Sequence, residues 1–129
     1  MPDLNARILV VDDFSTMRRI VRGILKKLGY RNIDEAEDGQ SALKMLKQAS
    51  YQLIICDWNM PVMTGLDLLK AVRADEELKT IPFLMVTAEA KKENILTAIQ
   101  AGVSNYIVKP FTEEVLSKKL EEIFKSRAA

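Results

Sequence analysis

The chain contains no histidine, which removes the commonest general base and a common metal ligand. Any metal site must therefore be built from oxygen ligands, and any histidine chemistry must take place on a partner. A single cysteine, Cys56, excludes an internal disulfide framework. Neither sign of charge is in excess: 19 lysines and arginines face 18 aspartates and glutamates, a net charge of +1. That balance argues against gripping nucleic acid through bulk charge. The first residues carry no apolar run of the signal kind. No stretch is long and apolar enough to span a membrane, so neither a membrane nor nucleic acid is an expected partner and the expected location is the cytoplasm. No internal repeat, low-complexity segment or linker interrupts the chain.

What is present suits one ordinary domain. The 129 residues are 48% hydrophobic, enough for a sizeable core, and 29% charged, enough for a soluble surface. Apolar residues fall in short runs separated by helical periodicity. Residues 7–11 (RILVV) predict a strand. Met17, Ile20, Val21, Ile24, Leu25 and Leu28 then fall on one helical face, with Arg18, Arg19, Arg22, Lys26 and Lys27 on the remainder and Gly29 placed as a left-handed cap. Residues 32–36 make a weaker strand, and Asp38-Gly39 turns into a helix reaching about residue 49. Residues 53–56 (LIIC) are a wholly apolar strand, 59–64 a loop, and 66–73 a helix. Residues 83–86 (FLMV), 91–101 and 106–108 predict strand, helix and strand. Gly102 closes the second of these, and Thr112 caps a last helix to about residue 124.

The pattern is strand–helix repeated five times, which implies a parallel sheet covered on both faces. Wholly apolar central strands fit such double burial. The chain ends where the fifth helix ends, so residues 1–129 are expected to be one domain without an attached output domain.

Polar residues interrupt this pattern at one kind of place. Asp12 and Asp13 follow strand one, Asp57 strand three, Thr87 strand four and Lys109 strand five. All stand at carboxyl ends of strands, the edge where open parallel α/β sheets bind ligands. Three carboxylates there repel one another, and a divalent cation relieves the repulsion. Magnesium fits best, being a hard ion that takes carboxylate and phosphate oxygens and keeps several waters. Lys109 adds a point charge suited to phosphate, and Thr87 a hydroxyl donor. Together these groups describe a site for phosphoryl transfer to an aspartate.

Each residue also has a purely structural reading. Asp12 and Asp13 suit a helix cap, as does Ser15. Asp57 alone is an ordinary loop acid, Thr87 a β-branched strand residue, and Lys109 a solvated lysine. Their joint placement at four strand ends favours the functional reading. Cys56 adjoins Asp57, but strand neighbours point to opposite faces, so a buried structural thiol is expected. The basic side of the first helix reads as a solvated face, with docking of an acidic partner as its functional alternative. The six methionines read mainly as core filler.

The acidic pair in ILVVDD, Asp57 in ICDWNMP, Thr87 in MVTAEAKKEN and Lys109 in YIVKPF resemble the response-regulator receiver family. The likeness covers nearly the whole chain. DDFSTMRRIVR, EAEDG, DWNMP and VTAEAKKEN are closest to its chemotaxis branch. The resemblance implies a single doubly wound (βα)5 flavodoxin-like domain, with a parallel five-stranded sheet of order 2-1-3-4-5. In that order strands one and three, which end in aspartates, flank the reversal.

The resemblance further implies a signalling switch rather than an enzyme acting on other molecules. Asp57 would accept a phosphoryl group from a sensor histidine kinase. Mg2+ would be held by Asp13, Asp57 and the backbone carbonyl of Asn59, with Asp12 on a metal-bound water. Lys109 and Thr87 would assist, the Lys109–Pro110 bond would be cis, and Trp58 emission would report on the site. Asn59 and Glu89 are the positions that tune phosphate lifetime in such receivers. Coupling of Thr87 to Tyr106 would remodel a surface containing Ala90, Ile95, Ile99, Tyr106, Val108, Phe111 and Lys119, with Leu96 available for the core. That surface would bind the flagellar motor switch. The receiver would act as a monomer, and a dedicated phosphatase is a further partner of such proteins. A phosphorelay or phosphate-sink role is the alternative within the family. An aspartate-based phosphatase of the haloacid dehalogenase type would need Asp-x-Asp after strand one. A flavin module would need a glycine loop where VVDDFST stands, and a transcription factor an appended DNA-binding domain.

Overall fold

The computed structural model describes residues 4–88 and 91–128. Ten elements alternate: β1 (Arg7–Val11), α1 (Ser15–Lys27), β2 (Asn32–Ala36), α2 (Gly39–Gln48), β3 (Leu53–Asp57), α3 (Gly65–Ala74), β4 (Phe83–Thr87), α4 (Lys92–Gln100), β5 (Asn105–Val108) and α5 (Glu113–Ala128). The strands form one sheet in the order β2-β1-β3-β4-β5, every pair parallel. This is the expected (βα)5 order.

Period-two alternation divides the core. Leu9, Val11, Ile54, Cys56, Phe83 and Met85 point to one face, where Ala42 and Leu46 of α2 and Leu68, Leu69 and Val72 of α3 cover them. Ile8, Val10, Leu53, Ile55, Leu84, Val86 and Ile107 point to the other, under Val21 and Leu25 of α1 and Leu116, Leu120 and Ile123 of α5. Strands β3 and β4 are buried along their full length, as strands covered on both faces must be.

The helix ends follow local chemistry. Asp38 accepts from the Ser41 N–H at 2.7 Å to start α2, and Thr64 with Asp67 forms a reciprocal capping box at the start of α3. Thr112 accepts from the Val115 N–H at 3.2 Å, the cap expected there. Gly29 and Gly102 follow α1 and α4 with φ of 105° and 95°, the left-handed conformation that glycine adopts without strain.

Two apolar assignments are corrected. Ile20 is 49% exposed, because α1 buries a narrow stripe centred on Val21 and Leu25. Leu96 is 47% exposed, because α4 turns the small Ala98 to the core and Leu96, two residues before it, lies on the opposite side.

Candidate functional site

The carboxyl ends of β1 and β3 lie side by side, with Val11 in register with Cys56. Asp12 and Asp57 continue past that pair. Among the described residues, three polar ones are buried, and all belong to this edge: Asp12, Asp57 and Thr87. Carboxylate oxygens of Asp12, Asp13 and Asp57 all lie within 4.8 Å of one another.

Asp12 and Asp13 do not cap α1. Phe14 occupies the cap position without a side-chain bond, and Oδ1 of Asp12 accepts from the Phe14 N–H at 3.0 Å. The capping alternative therefore fails, and the carboxylates face the crevice instead. Burial pushes the Asp12 carboxyl above its ordinary value. The Phe14 N–H opposes that shift, the Asp57 charge adds to it, Lys109 opposes it, and Asp13 adds to it again.

Lys109 is delivered by β5. Its N–H donates to the Thr87 carbonyl at 2.8 Å, extending the ladder past Val108, and the Lys109–Pro110 bond is cis, as expected. Nζ lies 2.8 Å from Oδ1 of Asp57 and 3.7 Å from Oδ2 of Asp12. Oδ1 of Asp13 is buried and accepts no hydrogen bond, whereas the buried Oδ1 of Asp57 has the Lys109 ammonium beside it. Three carboxylates grouped this closely, one with a buried oxygen that accepts no hydrogen bond, could hold a hard divalent cation. Asn59 is exposed two residues beyond Asp57.

The thiol of Cys56 points away into the core. Burial, reinforced by Asp57 and Asp12, raises its pKa well above the ordinary value, so it is no nucleophile. Trp58, half-buried, continues the β3–β4 ladder through its N–H to the Val86 carbonyl at 2.8 Å.

One residue escaped the sequence reading. Gly65 opens α3 directly against the end of β3, its N–H donating to the Trp58 carbonyl at 2.9 Å. A Cβ there would collide with the Asp57 carbonyl oxygen and come within 2.9 Å of Met85 Sδ and Trp58 Cα. A glycine inside a helix-initiating turn, where glycine is a poor helix former, is the signal that was available.

Of the expected switch residues, Thr87 stands at the crevice edge and Tyr106 lies beyond it. Tyr106 stands in register with Met85 and Val108 with Thr87, so Thr87 and Tyr106 occupy the same face one diagonal step apart. Tyr106 packs half-buried against the core, with Lys119 Nζ 5.1 Å from its ring centroid. Tyr106, Val108, Phe111 and Lys119 line one groove of about 330 Å³ together with Pro110 and Val115. Ile95 and Ile99 sit on α4 outside that lining, Ile99 exposed. Ala90 and Glu89 lie outside the described residues.

Fold, crevice and residue set define a class. The chain belongs to the response regulator receiver domain family, whose sequence pattern matches residues 8–121. It is a phosphorylation-activated response regulator, a signalling protein of the two-component type. The chain is 60% identical over 120 residues to the chemotaxis protein CheY-3 of Vibrio cholerae, covering 93% of this chain and 92% of that one. The solved structure of Vibrio cholerae CheY4 superposes with a TM-score of 0.87 at 39% identity, covering 92% and 98% of the two chains. The receiver domain of the sensor histidine kinase PA1611 from Pseudomonas aeruginosa, solved with magnesium in its active-site cleft, gives 0.84 at 28% identity over 94% and 98%.

Proposed function

We propose that this chain is a chemotaxis switch in which Asp57 takes a phosphoryl group from the histidine of a sensor kinase. The phosphorylated form then binds the flagellar motor switch. The observation that carries the reading is the Lys109 ammonium 2.8 Å from Asp57 beside two further carboxylates. Likeness to chemotaxis proteins over nine-tenths of the chain supports the pathway.

An Asp57 oxygen attacks phosphorus, the P–N bond of the donor breaks, and the kinase imidazole leaves. Lys109 offsets negative charge on the incoming phosphoryl oxygens, and Thr87 donates its hydroxyl to one of them. Asp13, Asp57 and the Asn59 carbonyl would hold Mg2+ directly and Asp12 through water. The ion would supply the positive charge that lets an anionic donor approach an anionic nucleophile. Hydrolysis of the acyl phosphate ends the signal. These are steps of a cytoplasmic switch. No helix among the described residues is long and apolar enough to cross a membrane.

The readout runs from Thr87 to Tyr106. Drawing the Thr87 hydroxyl towards the phosphoryl group frees space on the face that the Tyr106 ring shares. The ring then turns inward and alters the groove at Val108, Phe111 and Lys119, with Ile95 and Ile99 of α4, and Ala90, completing the motor-binding surface. Moving such an equilibrium from roughly 1:99 to 99:1 takes about 5.5 kcal/mol. Hydrogen bonds to charged groups contribute roughly 1.5–3 kcal/mol each, so three of middling strength, or two at the top of that range, suffice.

The test is binding of a motor-switch peptide with and without a phosphoryl mimic. Affinity rises in the wild type, while Thr87→Ala accepts the mimic and gains little. Equal gains in both would defeat the coupling, and no gain in the wild type would leave a phosphorelay or sink role in place of the motor.

A further inference from the structure

We infer that Arg18, with Glu35 behind it, is a positioning residue that holds the β1–α1 turn in the geometry needed for divalent-cation binding. The inference rests on the acidic cluster being the metal site proposed above. The residue pairs of β1 end at Val11, and the polar backbone of Asp12 beyond them still needs partners. Its N–H donates to the Ala36 carbonyl of β2 at 3.2 Å. Its carbonyl oxygen accepts from Arg18 Nη1 at 2.6 Å, across the first turn of α1. That carbonyl shares a rigid peptide plane with the Asp13 nitrogen, so the arginine fixes where Asp13 departs from the chain. Within the turn Oδ1 of Asp12 accepts from the Phe14 N–H at 3.0 Å, but α1 has no side-chain cap, so Arg18 is the side chain that ties the Asp12 carbonyl to the helix.

The arginine is itself held. Nε of Arg18 donates to Oε1 of Glu35 at 3.1 Å, and Nη1 of Arg22 donates to Oε2 at 2.8 Å. The Arg22 hydrogen bond, then that of Arg18, holds the Glu35 carboxyl below its ordinary value, so it stays ionised as an anchor. The Arg18 side chain is only 15% exposed, whereas Arg19 beside it is exposed. Through this chain β2, which lends no residue to the crevice, still sets the position of the crevice carboxylates. The planar guanidinium matters because one group bonds a carboxylate and a carbonyl in fixed relative directions, which an ammonium cannot reproduce.

Charge alone predicts the opposite outcome. Removing a cation near the acidic cluster strengthens attraction for Mg2+, whereas losing an outer support of a metal site weakens affinity by roughly 10–100-fold. The experiment is Mg2+ titration of the whole chain followed by Trp58 emission, with unfolding of each metal-free variant measured alongside. Arg18→Ala binds Mg2+ at least about tenfold more weakly while folded, Arg18→Lys recovers only part of the loss, and Arg19→Ala is unchanged or slightly tighter. Glu35→Gln shows a smaller loss, and the Arg18→Ala/Glu35→Gln double variant binds no more weakly than Arg18→Ala alone. Unchanged or tighter binding by Arg18→Ala, with normal binding by the wild type, overturns the inference, as do additive effects in the double variant. If Arg18→Ala fails to fold, Arg18→Lys binding as tightly as the wild type overturns it. Wild type that binds no Mg2+ overturns both the inference and the metal reading beneath it.

Discussion

The ammonium of Lys109 lies 2.8 Å from Oδ1 of Asp57 and 3.7 Å from Oδ2 of Asp12. The lysine therefore offsets charge on both of these buried carboxylates. In the metal-free protein it is paired with two of the three clustered carboxylates. Lys109→Ala should lower metal-free stability by about 2–3 kcal/mol, since it leaves a buried carboxylate without its partner. Mg2+ should restore much of the loss. Denaturant midpoints with and without Mg2+ check this, and equal metal-free midpoints for variant and wild type would count against the charge-offset role.

Asp12 carries a related cost. Its folded pKa lies above the ordinary 3.8, so its ionised form is less welcome in the fold than in the unfolded chain. The contribution is favourable below that ordinary value and is lost as pH rises through the folded one, leaving a penalty at neutral pH. Asp12→Asn keeps an acceptor for the Phe14 N–H and removes the charge. It should raise metal-free stability at pH 7 by about 1 kcal/mol while weakening Mg2+ binding. The advantage should shrink on acidification towards pH 4. A variant less stable than wild type at pH 7 would refute the penalty.

At the opposite edge of the sheet, Tyr51 donates its hydroxyl to Asp34 at 2.6 Å, and its pKa is pushed up to about 12 by burial, with the Asp34 hydrogen bond and charge adding. A raised folded pKa makes the stabilisation complete below pH 10 and removes it as pH rises towards about 12. Tyr51→Phe should cost about 1 kcal/mol at neutral pH, with a difference from wild type that fades across that window. Parallel alkaline unfolding curves for the two proteins, offset by a constant amount, would contradict it.

Val62 sits in the loop after β3 with φ of 66°, 95% exposed, at the centre of a three-residue turn closed by the Met63 N–H to the Pro61 carbonyl at 2.7 Å. A β-branched residue is strained there by roughly 1–3 kcal/mol, and no packing offsets the strain. Glycine relieves it but loses about 0.5–1 kcal/mol to unfolded-state entropy. Val62→Gly should therefore gain about 1 kcal/mol, read as a rise in the thermal midpoint. A fall would show the turn to be unstrained.

The sheet and the crevice were legible because both depend on short, strong signals. Wholly apolar runs ending in Asp57 and Thr87 mark buried strands that stop at a polar edge. Helix faces were less legible where apolar residues lie all round. On α4 the small Ala98 goes inward while Leu96 and Ile99 face out, a choice made by the space beneath the helix rather than by hydrophobicity. Residues acting on the site through another residue left little trace. Gly65 is needed because a backbone passes close, and Arg18 acts on a carbonyl six positions back, a contact no side-chain pattern records.

Reacting the unmutated protein with a small acyl-phosphate donor, and locating the product by mass spectrometry of its peptides, tests the phosphoryl switch most directly. With Mg2+ present, one phosphoryl group should appear on Asp57, with almost none when the ion is chelated. Phosphate on another residue of the unmutated chain, or equal labelling of Asp57 without a divalent ion, would contradict the reading of this crevice as a metal-assisted phosphoacceptor.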